Sequence, residues 1–233
     1  MEKLLMDNYK QELYDFLIGF VTEARKIKFE EVILERTRYV TVAVEDVFQP
    51  HNASAVLRSA ECFGVQDVHI IENKNKYNPS SDISLGSHQW LTLTRHTKSE
   101  NNSLACIKSL REKGYRIVAT TPHTNDCLIN ELDLSKGKVA LFFGTEVDGL
   151  SDDIMKEADE FVKIPMYGFT ESFNISVSAA ICLFELTKEL RESEIKFGLS
   201  EEEMLDIKLD WVKESVKSSD LLEKEFRKKK GLG

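Results

Sequence analysis

The sequence predicts an α/β protein with a mostly parallel sheet and helical segments at both ends. In the middle of the chain, short apolar runs rich in β-branched residues alternate with amphipathic stretches. This order is typical of a parallel sheet covered by helices on both faces. The 233 residues are 42% hydrophobic and 30% charged, with 11 glycines and 4 prolines. Such a composition is typical of a globular chain and excludes disordered and collagen-like classes.

Both ends of the chain are predicted to be helical. Apolar residues recur at helical spacing up to about residue 36, with a break near Thr22 that indicates a helical hairpin. Beyond Gly198, Ser200 and Glu203 form the sequence pattern of a capping box. The predicted division is an N-terminal helical extension, a core and a C-terminal helical extension, at 1–38, 39–192 and 193–233.

Five strands and four helices are predicted in the core. The strands are the apolar runs Tyr39–Glu45, Val68–Ile71, Arg116–Thr120, Val139–Phe143 and Glu160–Ile164. The helices are Asn52–Cys62, Glu100–Gly114, Asp152–Asp159 and Asn174–Leu190. Since ligands bind beyond the carboxyl ends of the strands in such sheets, we expect the functional site in the polar segments that follow the strands.

The chain as a whole is acidic, with 31 lysines and arginines against 40 aspartates and glutamates and a formal net charge of −9. A polyanion would therefore have to be held by local basic segments. The sequence shows neither an apolar stretch of transmembrane length nor a signal-peptide pattern. We therefore expect a cytoplasmic protein without membrane partners.

Several kinds of site are not predicted by any motif. The four cysteines have no C-x-x-C spacing, so neither a disulfide scaffold nor a metal site is expected. The motifs G-x-G-x-x-G and G-x-x-x-x-G-K-(S/T), which seat phosphates on a helix N-terminus, are missing. A small molecule bound by this chain must be held in another way.

Three polar segments follow predicted strands, and the first contains Asn52 and Arg58. These residues lie about two helical turns apart. Either Asn52 caps the helix and both residues face one site, or Asn52 is only a cap and Arg58 is a solvated arginine. This segment alone leaves both interpretations open.

The second polar segment follows the most apolar strand and runs from Gly144 to Gly149. Gly144 permits close approach of a ligand to the backbone. Glu146 and Asp148 would repel a phosphate, but they suit an amino group, a ribose hydroxyl or a cationic side chain. A tight turn without any ligand explains the segment equally well.

The third polar segment is a long loop that leads into the last core helix. Hydroxyl or amide side chains occupy alternate positions there: Ser172, Asn174, Ser176 and Ser178. A helix cap requires only one such side chain. We therefore expect some of the others to face a ligand.

In this order and spacing, the three segments resemble the three motifs of the SpoU family of RNA 2'-O-ribose methyltransferases in the SPOUT superfamily. The matching residues are Asn52, Arg58 and Cys62–Val65, then Leu141–Leu150, then Ile164–Pro165 with Ser172–Ser178. The stretch from Arg36 to Asn52 and the helical flanks are most similar to the TrmH branch, the tRNA guanosine-18 2'-O-methyltransferases.

The resemblance implies a SPOUT fold in which the C-terminal part of the core forms a deep trefoil knot, an exception to unknotted topology. It implies a homodimer that binds S-adenosylmethionine in the knot loops and methylates a ribose of tRNA at guanosine 18. The family's cofactor positions correspond here to Thr120, Gly144, Ile164 and Phe173. Its catalytic positions correspond to Arg58, Asn52, Glu146, Ser172 and Asn174.

Arg58 is the key catalytic residue by this resemblance, but elementary chemistry limits its role. A guanidinium group stays protonated in proteins, since its pKa exceeds about 12. Our hypothesis is that Arg58 anchors the adjacent phosphate and stabilises the developing alkoxide.

Two local basic segments are candidates for RNA contact, one before the core and one near the C-terminus. Together with Arg58, the predicted RNA-binding residues are Arg25, Lys28, Arg36, Arg38, Lys228 and Lys229. Binding carried by such residues weakens steeply with salt. The predicted partner is tRNA, and no DNA partner is expected.

Three alternatives remain open. A SpoU methyltransferase could act on ribosomal RNA or on another tRNA position, which the motifs hardly separate. A knotted RNA-binding protein without catalysis would have no need of the complete set of catalytic positions. A flavodoxin-like nucleotide binder is disfavoured by the missing phosphate-binding loops.

Overall fold

A parallel sheet forms the centre of the chain. The computed structural model describes residues 2–47, 49–76, 86–122, 127–146 and 148–231. Within these residues the sheet has seven strands: β1 (Val40–Glu45), β2 (Asp67–Ile71), β3 (Thr92–His96), β4 (Arg116–Thr120), β5 (Cys127–Leu128), β6 (Val139–Phe143) and β7 (Glu160–Lys163). Their order across the sheet is β3-β2-β1-β6-β4-β7-β5. The predicted α/β class with a parallel sheet is therefore confirmed.

Helices precede, separate and follow the strands. They are α1 (Glu2–Ile18), α2 (Glu23–Ile33), α3 (Pro50–Cys62), α4 (Asn102–Glu112), α5 (Asp152–Glu157), α6 (Ile175–Glu192), α7 (Glu201–Ser215) and α8 (Ser219–Lys229). In the described parts of the chain, no helix is long and apolar enough to cross a membrane.

The core unit, Thr37–Phe197, buries both faces of the sheet. On one face, apolar side chains of α3 and α6 pack against alternate residues of β1 and β6, such as Val42 and Leu141. On the other face, α4 and α5 pack against the intervening residues, such as Ala43 and Phe142. Since both faces are covered, β1 and β6 are buried along their whole length and are mostly apolar, which gives them a clear strand signal in the sequence.

Two strands were missing from the sequence prediction. β3 has the sequence TLTRH and lies at the edge of the sheet, where its residues are half-buried or exposed, so its sequence contains no apolar run. β5 has only two residues, at the opposite edge. Neither strand carries the hydrophobic signal on which the prediction of strands depends.

The start of α3 corrects a second prediction. The helix begins at Pro50, whereas the sequence analysis started it at Asn52 with Asn52 as a possible cap. Proline fits the first turn of a helix because its fixed φ is helical and the N–H group it lacks has no partner there. Gln49 occupies the N-cap position instead, and Asn52 is the third helical residue.

The two ends of the chain form one compact unit, Met1–Arg36 with Gly198–Gly233, although they were predicted as separate extensions. Within this unit the ring of Phe226 lies 5.3 Å from that of Phe16 between centroids. Ion pairs join the two ends, including Lys10 with Asp206 at 2.6 Å. The predicted capping box is confirmed: the Ser200 hydroxyl accepts from the Glu203 backbone N–H, and the Glu203 carboxylate accepts from that of Ser200.

Candidate active site

A cavity of about 370 Å³ opens where β4, β6 and β7 end. Its walls come from the segments that follow these three strands and from the beginning of α6. The lining includes all four residues predicted to hold a cofactor, and two of those predicted to be catalytic: Thr120, Gly144, Ile164, Phe173, Glu146 and Ser172. The segments after β4, β6 and β7, which are far apart in the sequence, therefore meet at this cavity.

Gly144 is required by the shape of the loop after β6. A Cβ atom on Gly144 would lie 2.1 Å from the carbonyl carbon of Gly149, a separation that backbone atoms do not tolerate. The loop closes on itself through two backbone hydrogen bonds between Thr145 and Gly149, at 2.9 and 3.1 Å. Gly149 has φ +70°, in the left-handed region that glycine adopts most readily.

The floor of the cavity is apolar. Phe143, Val162 and Ile175 line it and are almost fully buried. Cys182 also lines it, and burial raises the pKa of its thiol to about 12, so the group is uncharged at neutral pH. An apolar floor beneath exposed backbone groups suits a flat aromatic ring with polar edges.

A network of hydrogen bonds joins three of the predicted catalytic residues beside this cavity. The Asn52 amide donates to Glu146 Oε1 at 2.9 Å. The Asn174 amide donates to the same Glu146 oxygen and, at 3.1 Å, to Asn52 Oδ1. One carboxylate oxygen thus holds two amide groups, each from a different polar segment.

Asn174 also begins α6. It is the N-cap residue, and its Oδ1 accepts from the backbone N–H of Ser176 at 2.8 Å and from the Ser176 hydroxyl at 2.5 Å. Its amide oxygen therefore faces the helix while its NH₂ group faces Glu146. The alternating polar residues therefore have two roles. Asn174 and Ser176 form the helix cap, whereas Ser172 and Ser178 line the cavity.

Arg58 is separated from this network on α3. Six helical residues correspond to about 600°, so the side chains of Asn52 and Arg58 point about 120° apart around the helix axis. Asn52 is buried and Arg58 is exposed. Among the described residues, no hydrogen bond or ion pair reaches the Arg58 guanidinium. Asn52 therefore does not cap the helix, and within one chain its side chain and that of Arg58 point in different directions.

The predicted RNA-binding residues have different environments. Arg36 is buried, and its guanidinium carbon lies 5.4 Å from the centroid of the Trp211 ring. This burial contradicts its predicted contact with phosphate. Arg38 is mostly buried and its Nε donates to Asp67 at 3.1 Å. The remaining four basic residues outside the core are exposed: Arg25, Lys28, Lys228 and Lys229.

Glu45 supports the site and was overlooked in the sequence. It ends β1, is 3% exposed, and accepts from the Ser103 hydroxyl and from the N–H and hydroxyl of Ser151, each of the latter at 2.7 Å. Ser151 is the N-cap of α5, directly after the loop that lines the cavity. The available signal was a charged residue at the end of a buried strand, which requires partners.

Comparison with known proteins identifies the relatives of this chain. The SpoU rRNA Methylase family matches residues 39–184. A tRNA (guanosine(18)-2'-O)-methyltransferase of Borreliella burgdorferi is 40% identical over 94% of this chain and 98% of its own length. The crystal structure of the A. aeolicus TrmH/SpoU tRNA modifying enzyme superposes with a TM-score of 0.74, at 29% identity, over 84% of this chain and 98% of that one.

A further solved structure holds a small molecule. It is the SpoU methyltransferase AviRb from Streptomyces viridochromogenes in complex with the cofactor AdoMet. The two chains are 26% identical, with a TM-score of 0.59 over 70% of this chain and 62% of that chain.

Proposed function

The chain belongs to the SpoU rRNA methylase family, and from this premise we propose that it methylates the ribose 2'-hydroxyl of guanosine 18 in tRNA with S-adenosylmethionine. The observation that carries the proposal is the cavity at the ends of β4, β6 and β7, with the network of Asn52, Glu146 and Asn174 beside it. The near full-length match to a relative named for this activity supports tRNA as the substrate. Such an enzyme acts in the cytoplasm.

The residues of the cavity fit S-adenosylmethionine. Gly144 lines the cavity, and because it carries no side chain the loop can turn tightly against Gly149 at the cavity wall. The apolar floor suits an adenine ring, and the backbone groups near Thr120 and Ile164 suit its polar edge. Bound there, the cofactor supplies an activated methyl group, and no metal ion is needed for the transfer.

The chain's own residues must place the ribose and stabilise charge on its oxygen. Arg58 is exposed on α3 and so is accessible to an RNA phosphate. Because guanidinium remains protonated, Arg58 would contribute electrostatically, by holding the phosphate and stabilising negative charge on the 2'-oxygen. The network around Glu146 fixes the entrance of α6 against the cavity loop, which keeps Ser172 and Phe173 at the cavity wall.

We further propose that the loops lining the cavity form the deep trefoil knot of this family. Three segments that follow β4, β6 and β7 converge on one cavity, and β6 is inserted between β1 and β4. Pulling the chain by its two ends in a single-molecule experiment tests this inference. A tightened knot would leave the stretched chain measurably shorter than its contour length, whereas an unknotted chain would extend fully.

A homodimer completes the proposal. On α6, Val177 and Phe184 are exposed, and Phe184 lies against Phe63 with ring centroids 6.1 Å apart. Large apolar residues grouped on a surface are typical of an interface, and we propose a second copy of this chain as the partner. Phe184→Glu should yield a monomer in sedimentation equilibrium, while the control Glu192→Gln, an exposed residue of the same helix, should remain a dimer. A dimeric Phe184→Glu variant would contradict this interface.

The decisive experiment measures methyl transfer to defined RNAs. The protein is incubated with labelled S-adenosylmethionine and unmodified tRNA transcripts, and the labelled nucleotide is mapped. We expect label at guanosine 18, and none when that nucleotide is replaced by 2'-deoxyguanosine. Label in ribosomal RNA alone would favour the alternative substrate, and RNA binding without transfer would indicate a non-catalytic protein.

Arg58→Lys tests the role of the guanidinium group in the same assay. Lysine keeps the positive charge but loses the planar fork that binds a phosphate through two parallel hydrogen bonds. We expect lower turnover with nearly unchanged affinity for S-adenosylmethionine. Near-normal turnover together with unchanged tRNA affinity would exclude a specific role for the fork.

A further inference from the structure

Two histidines and a cysteine meet inside the core unit, apart from the residues of the proposed active site. Their potential ligand atoms all lie within 4.8 Å of one another: the residues are His69, His96 and Cys106. His69 Nδ1 and His96 Nε2 are 3.0 Å apart. In the sequence, His69 and His96 are 27 positions apart, and His96 and Cys106 are 10 positions apart. The three residues therefore form no short sequence motif.

The fold brings them together at one edge of the sheet. His69 lies on β2, and His96 ends the edge strand β3, where it pairs in register with Ile71. His69 and Ile71 share one face of β2, and Cys106 lies on α4, which packs on that face. His69 and Cys106 are buried, whereas His96 is partly exposed and leaves one side of the cluster accessible.

We propose that His69, His96 and Cys106 bind one Zn²⁺ ion. Imidazole nitrogen and thiolate sulfur are the donors that zinc prefers in proteins, and three such ligands from different elements match a four-coordinate ion with one open position. The accessible side at His96 allows water to fill that position. The 3.0 Å between the two facing ring nitrogens is close to the roughly 3.3 Å that separates two nitrogens on a tetrahedral ion with bonds of about 2.0–2.1 Å.

Binding requires only local proton movements. The facing nitrogens of His69 and His96 lie at hydrogen-bond distance, 3.0 Å, so one of them carries the hydrogen and the other accepts it through a lone pair. One ring donates its N–H to the other in the metal-free cluster. A shift of this proton to the other nitrogen of the same ring frees both facing nitrogens. The Cys106 thiol releases its proton to solvent as its sulfur binds the metal.

Charges of both signs surround the cluster. Lys113 interacts electrostatically with all three side chains, and Glu45, of opposite charge, interacts with Cys106. Lys113 is exposed, so water screens its repulsion, whereas Glu45 is buried and attracts a cation. The ion would join β2, β3 and α4, and so would stabilise the folded chain in proportion to the logarithm of free Zn²⁺ concentration above its dissociation constant.

The test uses the full chain after removal of metal with a strong chelator. Zn²⁺ alone is then titrated in competition with a chromophoric chelator, and Co²⁺ alone is titrated as a spectroscopic probe. We expect one ion per chain and, with Co²⁺, the absorption band of a thiolate bound to cobalt. Zn²⁺ should also raise the midpoint of thermal unfolding.

Matched variants identify the ligands. Cys106→Ser and His96→Gln should each weaken Zn²⁺ binding by at least about tenfold. Loss of a residue that only hydrogen-bonds to a metal ligand already lowers metal affinity about tenfold or more. Cys106→Ser should also abolish the cobalt-thiolate band. The control variants Cys62→Ser and His88→Gln change an exposed cysteine and an exposed histidine, and should bind like the original chain.

Folding is checked separately, by circular dichroism and by thermal unfolding without metal. Cys106→Ser changes only one atom, so it keeps the test valid if His96→Gln fails to fold. Unchanged Zn²⁺ affinity in a folded Cys106→Ser chain would overturn the proposal. Binding that is lost in Cys62→Ser or His88→Gln, or an original chain with no cobalt-thiolate band, would overturn it as well.

Discussion

Two glutamates at the carboxyl edge of the sheet differ sharply in their surroundings. Glu45 ends β1, is buried, and is held by the hydroxyls of Ser103 and Ser151 and by a backbone N–H. Glu146 lies three residues beyond β6, is exposed, and accepts from the amides of Asn52 and Asn174. Both glutamates lie at the carboxyl ends of adjacent strands, β1 and β6, so this location alone does not decide their role.

The difference lies in what each carboxylate connects. Glu45 connects β1 to the start of α4, through Ser103, and to the start of α5, through Ser151. These are fixed elements, so Glu45 belongs to the scaffold. Glu146 connects the cavity loop to α3 and to the entrance of α6, and one side of it stays accessible from the cavity. The buried glutamate supports the loop that carries the exposed one.

The largest effect should come from truncating the buried carboxylate. Glu45→Ala leaves the buried hydroxyl of Ser103 and the half-buried hydroxyl and N–H of Ser151 without their acceptor. We expect the free energy of unfolding to fall by about 3 kcal/mol. Glu146→Ala should lower it by less, about 1 kcal/mol, because the carboxylate is exposed and only the buried Asn52 amide loses an acceptor. Urea titration followed by circular dichroism measures both. Equal losses in the two variants would remove the distinction between scaffold and site.

The second largest effect is expected in the cavity loop after β6, which contains Glu146. In Gly144→Ala the new Cβ would lie 2.1 Å from the backbone of Gly149, so the loop has to move. We expect a loss of about 2 kcal/mol in stability and weaker binding of S-adenosylmethionine by calorimetry. Gly198→Ala is the matched control, since a Cβ there meets nothing within 4 Å. Normal cofactor affinity in Gly144→Ala would show that the tight turn does not shape the cavity.

A smaller effect is expected when only the charge of the exposed glutamate is removed. Glu146→Gln keeps one acceptor oxygen but loses the negative charge that the amides of Asn52 and Asn174 face. We expect kcat to fall about tenfold, equivalent to about 1.4 kcal/mol, with stability unchanged. Asp152→Asn, an exposed carboxylate at the start of α5, should keep full activity. Unaltered kcat in Glu146→Gln would leave the network without a role in turnover.

The smallest effect is expected in the salt dependence of tRNA binding, where an exposed arginine is compared with a buried one. Arg25→Gln changes an exposed residue, and we expect the slope of the logarithm of tRNA affinity against the logarithm of salt concentration to decrease by about 1. Arg36→Gln changes a buried residue stacked near Trp211, and it should lower stability while leaving that slope unaltered. Filter binding at several salt concentrations measures the slopes. Identical slopes for Arg25→Gln and the original chain would exclude Arg25 from the RNA-binding surface.

Most of the sheet was predictable because its central strands are buried on both faces. β1 is mostly apolar and β6 entirely so, and the bounds of both strands were predicted within one residue. β3 was missed because an edge strand can be polar, and β5 because two residues show no pattern. The start of α3 was predictable from Pro50, but the asparagine two residues later was taken as the cap.

The contacts between side chains of the site were harder to predict from the sequence than the strands were. Asn52 and Glu146 are 94 positions apart, and nothing in either segment indicates that their side chains share a hydrogen bond. Only the family resemblance placed them in one site. The burial of Arg36 depends on a neighbour as distant as Trp211, so its position in a basic segment was misleading. The cluster of His69, His96 and Cys106 could not be predicted from a motif either, because its residues are also far apart in the sequence.

The pairing of β1 with β6 has a consequence for how the chain folds during synthesis. Val40 pairs with Val139, 99 positions later, so one edge of β1 stays open long after β1 leaves the ribosome. At about 5–20 residues per second, that interval is roughly 5–20 seconds. Parallel pairings between distant segments also form slowly. Insertion of β6 between β1 and β4 is therefore expected to limit the folding rate, and the partly folded chain should depend on chaperones until then.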